Sequence, residues 1–241
     1  MCWNYRTGGT QRPYFTDDEI NRMMEDELGK AKLYPSVTEP VVDIERFLEQ
    51  HLAVVLDQHA ELESTVLGVT EFRPGQAPHV KINRDLTGVA DEDDDVGNVG
   101  RWRATMAHEA AHVVMHRLLF EFATDQGILF GDASARQESQ RMMRCLKRDY
   151  GVVGGADWRE IQANKGMAAL LMPRPVFVEL AAEPLAELGL EPAQIDRHDP
   201  RARDLAYALA RRVQASRQAA LIRLETVGIL TRPGQGSLLR G

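Results

Sequence analysis

Apolar positions recur at helical spacing along most of the chain and alternate in only one short region. Thr16 followed by Asp17, Asp18 and Glu19 is an N-cap with an acidic first turn, which predicts a helix to about Lys32, closed by Pro35. A second helix is predicted over residues 41–51, and residues 53–56 are a short apolar run suited to a buried strand. Residues 65–72 and 79–83 are β-rich and flank Arg73-Pro74-Gly75-Gln76-Ala77-Pro78, which predicts a hairpin with a loop longer than two residues.

Beyond this small sheet the pattern is helical. From 103 to 122, Ala107, Ala110, Ala111, Val114 and Leu118 follow helical spacing, with Met115, Leu119 and Phe122 widening the stripe into that of a mostly buried helix. Gly127 and Gly131 bracket a loop, and residues 133–150 predict a further helix with Met142, Met143 and Leu146 on its apolar side. Another runs from about 157 to 171, where Pro173 and Pro175 prevent its continuation, and helices dominate to about 230. The divisions expected are an N-terminal helical arm at 1–35, a central domain at 36–197 and a C-terminal helical segment at 198–241.

Composition narrows the class. Hydrophobic residues at 44% and charged ones at 27% describe a globular chain rather than a disordered one. With 29 Lys and Arg against 36 Asp and Glu, the net charge of -7 gives no global attraction for nucleic acid or anionic membranes. Two cysteines, Cys2 and Cys145, build neither a disulfide framework nor a cysteine zinc site, and Cys145 reads as a small buried apolar residue. No stretch has the apolar length of a membrane span, and the opening residues lack a signal-peptide core, so a cytoplasmic location is expected. Asp91-Glu92-Asp93-Asp94-Asp95 lacks the order of a calcium loop and reads as a solvated acidic loop.

The buried helix carries HEAAH at 108–112. Residues four apart share a helix face about 6 Å apart along the axis, so the imidazoles of His108 and His112 can converge on one metal ion. A catalytic zinc site takes one more protein ligand and keeps a position for water, and Glu109, beside the first histidine, can act on that water as general base. His116 continues the same face, but it lies about 12 Å from His108 along a straight helix and reads as a supporting or packing residue. The third ligand then comes from another element, among Glu121, Asp132, Glu138, Asp149, Glu160 and Glu179. Glu160 is favoured, in the first turn of the next apolar helix and one turn from Asn164.

HEAAH, followed by EIQANKGMAALLMP at 160–173, resembles the HExxH and the later E-x-Q-A-N…LLMP signature of the ImmA/IrrE metallopeptidases. The resemblance spans roughly 41–175 and continues in SRQAALIRLETVGIL at 216–230. It implies an α+β, mostly helical zincin-like metallopeptidase fold, with a small antiparallel sheet before the HExxH helix and a helical C-terminal region. It further implies zinc held by His108, His112 and Glu160, with Glu109 as catalytic base. The implied substrate is a helix-turn-helix transcriptional repressor whose loss releases mobile-element or stress-response genes. One departure stands out: Gly166 and Met167 replace the family's usual aromatic and small pair. Glycine inside a helix costs about 1 kcal/mol against alanine, so something should require its small size, close packing near the HEAAH helix being one reading.

Other readings remain open at this level. Histidine and carboxylate ligands suit manganese and iron as well as zinc. The hairpin at 65–83 can offer a strand edge to an extended substrate. Tyr150 and His198 are weak candidates for stabilising an oxyanion. Arg136, Arg141, Arg144, Lys147 and Arg148 give 133–150 a basic face suited to an acidic partner or nucleic acid. Residues 205–230 have helix-turn-helix character, which frames the alternative: a DNA-binding or metal-sensing regulator with little proteolysis.

Overall fold

Thr16 begins the first long helix, α1 (Asp17–Ala31), through a reciprocal capping box. The Glu19 backbone N–H donates to Thr16 Oγ1 at 3.2 Å, and the Thr16 N–H donates to Glu19 Oε2 at 2.8 Å. Ile20, Met24 and Leu28, at four-residue spacing, form its buried face. The computed structural model describes residues 15–73, 75–92, 96–127, 158–193 and 195–231, with short strands at 3–4 (β1), 12–13 (β2) and 142–146. All statements below concern these residues, among which the fold is α+β and mostly helical.

The helix expected at 41–51 is a short α2 (Ile44–Arg46), capped by the Asp43 carboxylate, that widens into one π-helical turn at Phe47–His51. Strand β3 (Val55–Ala60) lies slightly later than the apolar run that announced it. The hairpin forms as expected from β4 (Val66–Glu71) and β5 (His79–Asn83), with Gly68 opposite Ile82 and Thr70 opposite Val80. Asn83 then accepts from the Asp85 N–H at 3.0 Å and starts α3 (Arg84–Glu92), a helix that the sequence pattern did not announce.

The sheet itself corrects the expectation of an antiparallel one. With Met142–Leu146 as β6, its order is β3-β5-β4-β6, with β3 parallel to β5 and the other pairs antiparallel. Alternation marks a segment as a strand but does not choose its partner, and here the hairpin brings β5 rather than β4 beside β3. Strand β6 (Met142–Leu146) falls inside the stretch expected to be a helix at 133–150, the rest of which lies outside the described residues. Pairing with the open side of β4 supplies backbone partners that outweigh the helical spacing of its methionines. The hairpin therefore has no free edge for a substrate, because β3 covers one side and β6 the other.

Against this sheet lies α4 (Val96–Gly127), longer at both ends than its apolar stripe suggested. Its positions from 103 to 113 are all buried, including Ala104, Ala107, Ala110 and Ala111. Small side chains let β4 approach on one side and α5 (Trp158–Leu171) on the other. Helix α1 covers α5, and α6 (Arg174–Glu187), α7 (Pro200–Val213) and α8 (Arg217–Thr226) complete the helical layer.

Helix α8 packs on both α7 and α5, burying Ala219, Ala220, Leu221 and Leu224. That arrangement is a packed helical pair. Arg223, wholly buried, donates through Nε to the Met172 carbonyl at 2.6 Å and through Nη1 to Asn21 Oδ1, joining α8 to the end of α5 and to α1. Burial pushes its guanidinium down to about 9. No helix among the described residues is long and apolar enough to cross a membrane.

Candidate metal centre

Two helices bring three ligand atoms together. His108 Nε2 lies 3.0 Å from His112 Nε2 and 3.1 Å from Glu160 Oε2, and His112 Nε2 lies 3.3 Å from Glu160 Oε1. An ion bound tetrahedrally at about 2.0 to 2.1 Å sets its ligand atoms about 3.3 Å apart, so this cluster has the span and the donor set of a site built from two histidines and one carboxylate. All three residues are buried, and they form the one such group of histidine, cysteine and carboxylate side chains among the described residues.

Each histidine of the cluster has a partner behind it. His108 Nδ1 sits 3.1 Å from Asn164 Oδ1; because an amide oxygen only accepts, Nδ1 carries the proton and Nε2 is left for the cluster. His112 Nδ1 meets His116 Nδ1 at 2.9 Å, and His116 Nε2 meets Gln162 Oε1 at 3.1 Å. The Trp158 ring stands edge-on to His116, with centroids 5.6 Å apart. His116 thus supports a ligand rather than joining the cluster, as its position along the helix required.

Glu109, next to His108 on α4, meets the sheet at β4. Thr70 Oγ1 donates to its Oε2 at 2.6 Å, and its buried Oε1 has no hydrogen-bond partner. A Cβ added to Gly68 would fall 2.7 Å from Oε1, so the strand can accept this carboxyl only where it has no side chain. Glycine at 68 and threonine at 70 share the face of β4 turned to α4, a feature that residue spacing in β4 alone did not single out.

The electrostatics of the metal-free protein follow from burial and pairing. Burial opposes ionisation of Glu160, yet the adjacent imidazoles of His108 and His112 outweigh it and hold the carboxyl well below the usual range. Burial also opposes protonation of His108, but Glu160 reverses this and raises it. Burial lowers His112, with the adjacent His108 adding to the effect, although Glu160 opposes it. His116 is pushed down to about 3 by burial, with His112 adding to it, and Glu109 is pushed up to about 8 by burial, which the His108 and Thr70 contacts only partly offset. A cation among these ligands favours the neutral imidazoles and the ionised carboxyls.

The other third-ligand candidates do not converge. Glu179 is exposed on α6; Asp132, Glu138 and Asp149 lie outside the described residues, as do Tyr150 and the side chains of Glu121 and Cys145. His198 is exposed in the turn before α7. The acidic run is described only at Asp91 and Glu92, the end of α3. Comparison of the chain with family models, curated proteins and solved structures returns no match.

Proposed function

We propose that this protein is a zinc-dependent endopeptidase of narrow specificity. The observation that carries the reading is the convergence of His108, His112 and Glu160 within about one tetrahedral edge of each other, with Glu109 on the same helix as the histidines. When bound, zinc supplies Lewis-acid chemistry, polarising a carbonyl and acidifying water. Glu109 is the proton carrier: its carboxylate takes a proton from the attacking water and delivers it to the leaving amine. Thr70 holds that carboxylate by one oxygen and leaves the other, Oε1, without a protein partner.

The substrate proposed is a helix-turn-helix transcriptional repressor, which rests on the resemblance of HEAAH and EIQANKGMAALLMP to the ImmA/IrrE signatures. On this reading the protein acts in the cytoplasm and controls mobile-element or stress-response genes. The alternative, a DNA-binding or metal-sensing regulator, has less support, because α8 buries the residues that a DNA-reading helix would present.

Zinc content and cleavage test the proposal together. The purified protein should bind one zinc and cleave the repressor encoded beside it, chelators should stop cleavage, and Glu109→Gln should bind zinc but leave the repressor intact. Cleavage by Glu109→Gln at the unaltered rate would falsify the mechanism.

A further inference from the structure

Resting on that metal-centre reading, we propose that His116 and Gln162 are positioning residues for it. Gln162 fixes the proton of His116 on Nε2, His116 fixes that of His112 on Nδ1, and His112 thereby turns an unprotonated Nε2 towards Glu160 and His108.

The argument is one of donors and acceptors taken in order. Gln162 Oε1 has lone pairs and no proton, so at 3.1 Å it selects the His116 tautomer with hydrogen on Nε2. A neutral imidazole protonated there has a bare Nδ1. That atom lies 2.9 Å from His112 Nδ1, and two bare nitrogens at this distance repel, so His112 must be the donor. The remaining nitrogen of His112 is its Nε2, which faces Glu160 Oε1 at 3.3 Å and His108 Nε2 at 3.0 Å; by the same rule, when no metal is bound His108 and not His112 carries the hydrogen between the two Nε2 atoms. His112 and His116 are both fully buried, so bulk water does not compete for either ring. Trp158, perpendicular to the His116 ring, restricts its rotation.

A single helix therefore supplies a ligand and both orienting amides. Asn164 acts directly on His108 and Gln162 acts through His116 on His112, from either side of the same α5 segment that holds Glu160. A direct amide on His112 would have to come from within reach of its Nδ1, a place already taken by the next turn of α4; His116 bridges that gap.

The test uses the full chain and two readouts. In metal-free protein with 15N-labelled histidine, long-range 15N–1H NMR should show His112 protonated on Nδ1 and His116 on Nε2. Zinc affinity, measured by competition with a chelator, should fall about 10- to 100-fold in Gln162→Leu and in His116→Phe, the scale typical of lost partners behind a metal ligand. His116→Asn, which retains an acceptor near the original Nδ1, should recover most of the loss. A His112 ring protonated on Nε2 instead, or equal zinc affinity in all four proteins, overturns the proposal alone. Failure of the wild-type chain to bind zinc removes the metal-centre reading, and this proposal with it. The wild-type spectrum and Gln162→Leu keep the test decisive if His116→Phe does not fold.

Discussion

Thr70 donates to Glu109 across 2.6 Å, joining an interior strand of the sheet to the acidic residue of the HEAAH helix. The bond is the carboxyl's one side-chain link in a fully buried setting, so its loss leaves a polar group without compensation. Thr70→Val should destabilise the metal-free protein by about 1 to 3 kcal/mol, whereas Thr70→Ser, which keeps the hydroxyl, should recover most of this. Urea unfolding of the two variants makes the comparison. Equal losses in both would assign the effect to the methyl group rather than the hydrogen bond.

The raised carboxyl of Glu109 has a definite sign in stability. Its folded value, about 8, lies above the ordinary 4.5, so the folded chain keeps a proton that the unfolded chain releases. The associated stability is present below about pH 4.5 and is lost as pH rises towards 8. Glu109→Gln removes that loss. The metal-free variant should gain on wild type steadily between pH 5 and pH 8 in urea midpoints; a difference that does not change with pH contradicts the assignment.

His116 has the opposite sign. Its folded value of about 3 lies below the ordinary 6.5, so its contribution is complete above pH 6.5 and declines as pH falls towards 3. His112, also lowered, adds in the same direction, and Glu160 adds to the loss below about 4.5. His116→Asn should therefore flatten the stability profile between pH 6.5 and 4.5, by at most about 1.4 kcal/mol per pH unit for one proton. Thermal unfolding of metal-free protein across that range measures the slope, and parallel profiles would exclude a role for His116 in it.

At Gly166 the two helices of the site pack closely. A Cβ there would fall 2.8 Å from Ala111 Cβ and 2.9 Å from Met115 Cε. The methionine can move, but Ala111 Cβ is fixed to the α4 backbone. Gly166→Ala should thus destabilise by about 1 to 3 kcal/mol through overpacking, despite alanine's higher helix propensity. Adding Ala111→Gly should cost less in this background than in wild type. A double-mutant cycle gives the coupling, and strict additivity would show that the predicted contact is absent.

How much of this was legible in the sequence depended on the distance over which the signal acts. The N-cap at Thr16 with its acidic first turn, the hairpin and the His108–His112 pairing are local, and spacing alone announces them. Glu160 was favoured by its place in a first turn and strengthened by a family signature; its meeting with both histidines is a tertiary fact. Gly166 suggests close packing from the sequence alone, but the neighbours that require it, Ala111 and Met115, are named only by the structure. The parallel pairing of β3, the strand at Met142–Leu146 and the Thr70 contact to Glu109 all depend on which segments become neighbours. Periodicity describes a face and leaves its partner unnamed.

The Arg223 clamp has a consequence for how the chain reaches this state. Its bond to Asn21 spans 202 residues, so closing it costs most of the loop entropy available to a chain of this length, and such contacts delay folding. Helix α5, held on one side by α1 and on the other by α8, acquires its final support only when these two distant segments have met. During synthesis the His108–His112–Glu160 cluster can begin to assemble once α4 and α5 have emerged, but the helix that carries Glu160, Gln162 and Asn164 is braced by α1 alone until α8 follows. Bracing of the His108–His112–Glu160 cluster is thereby coupled to the arrival of α8.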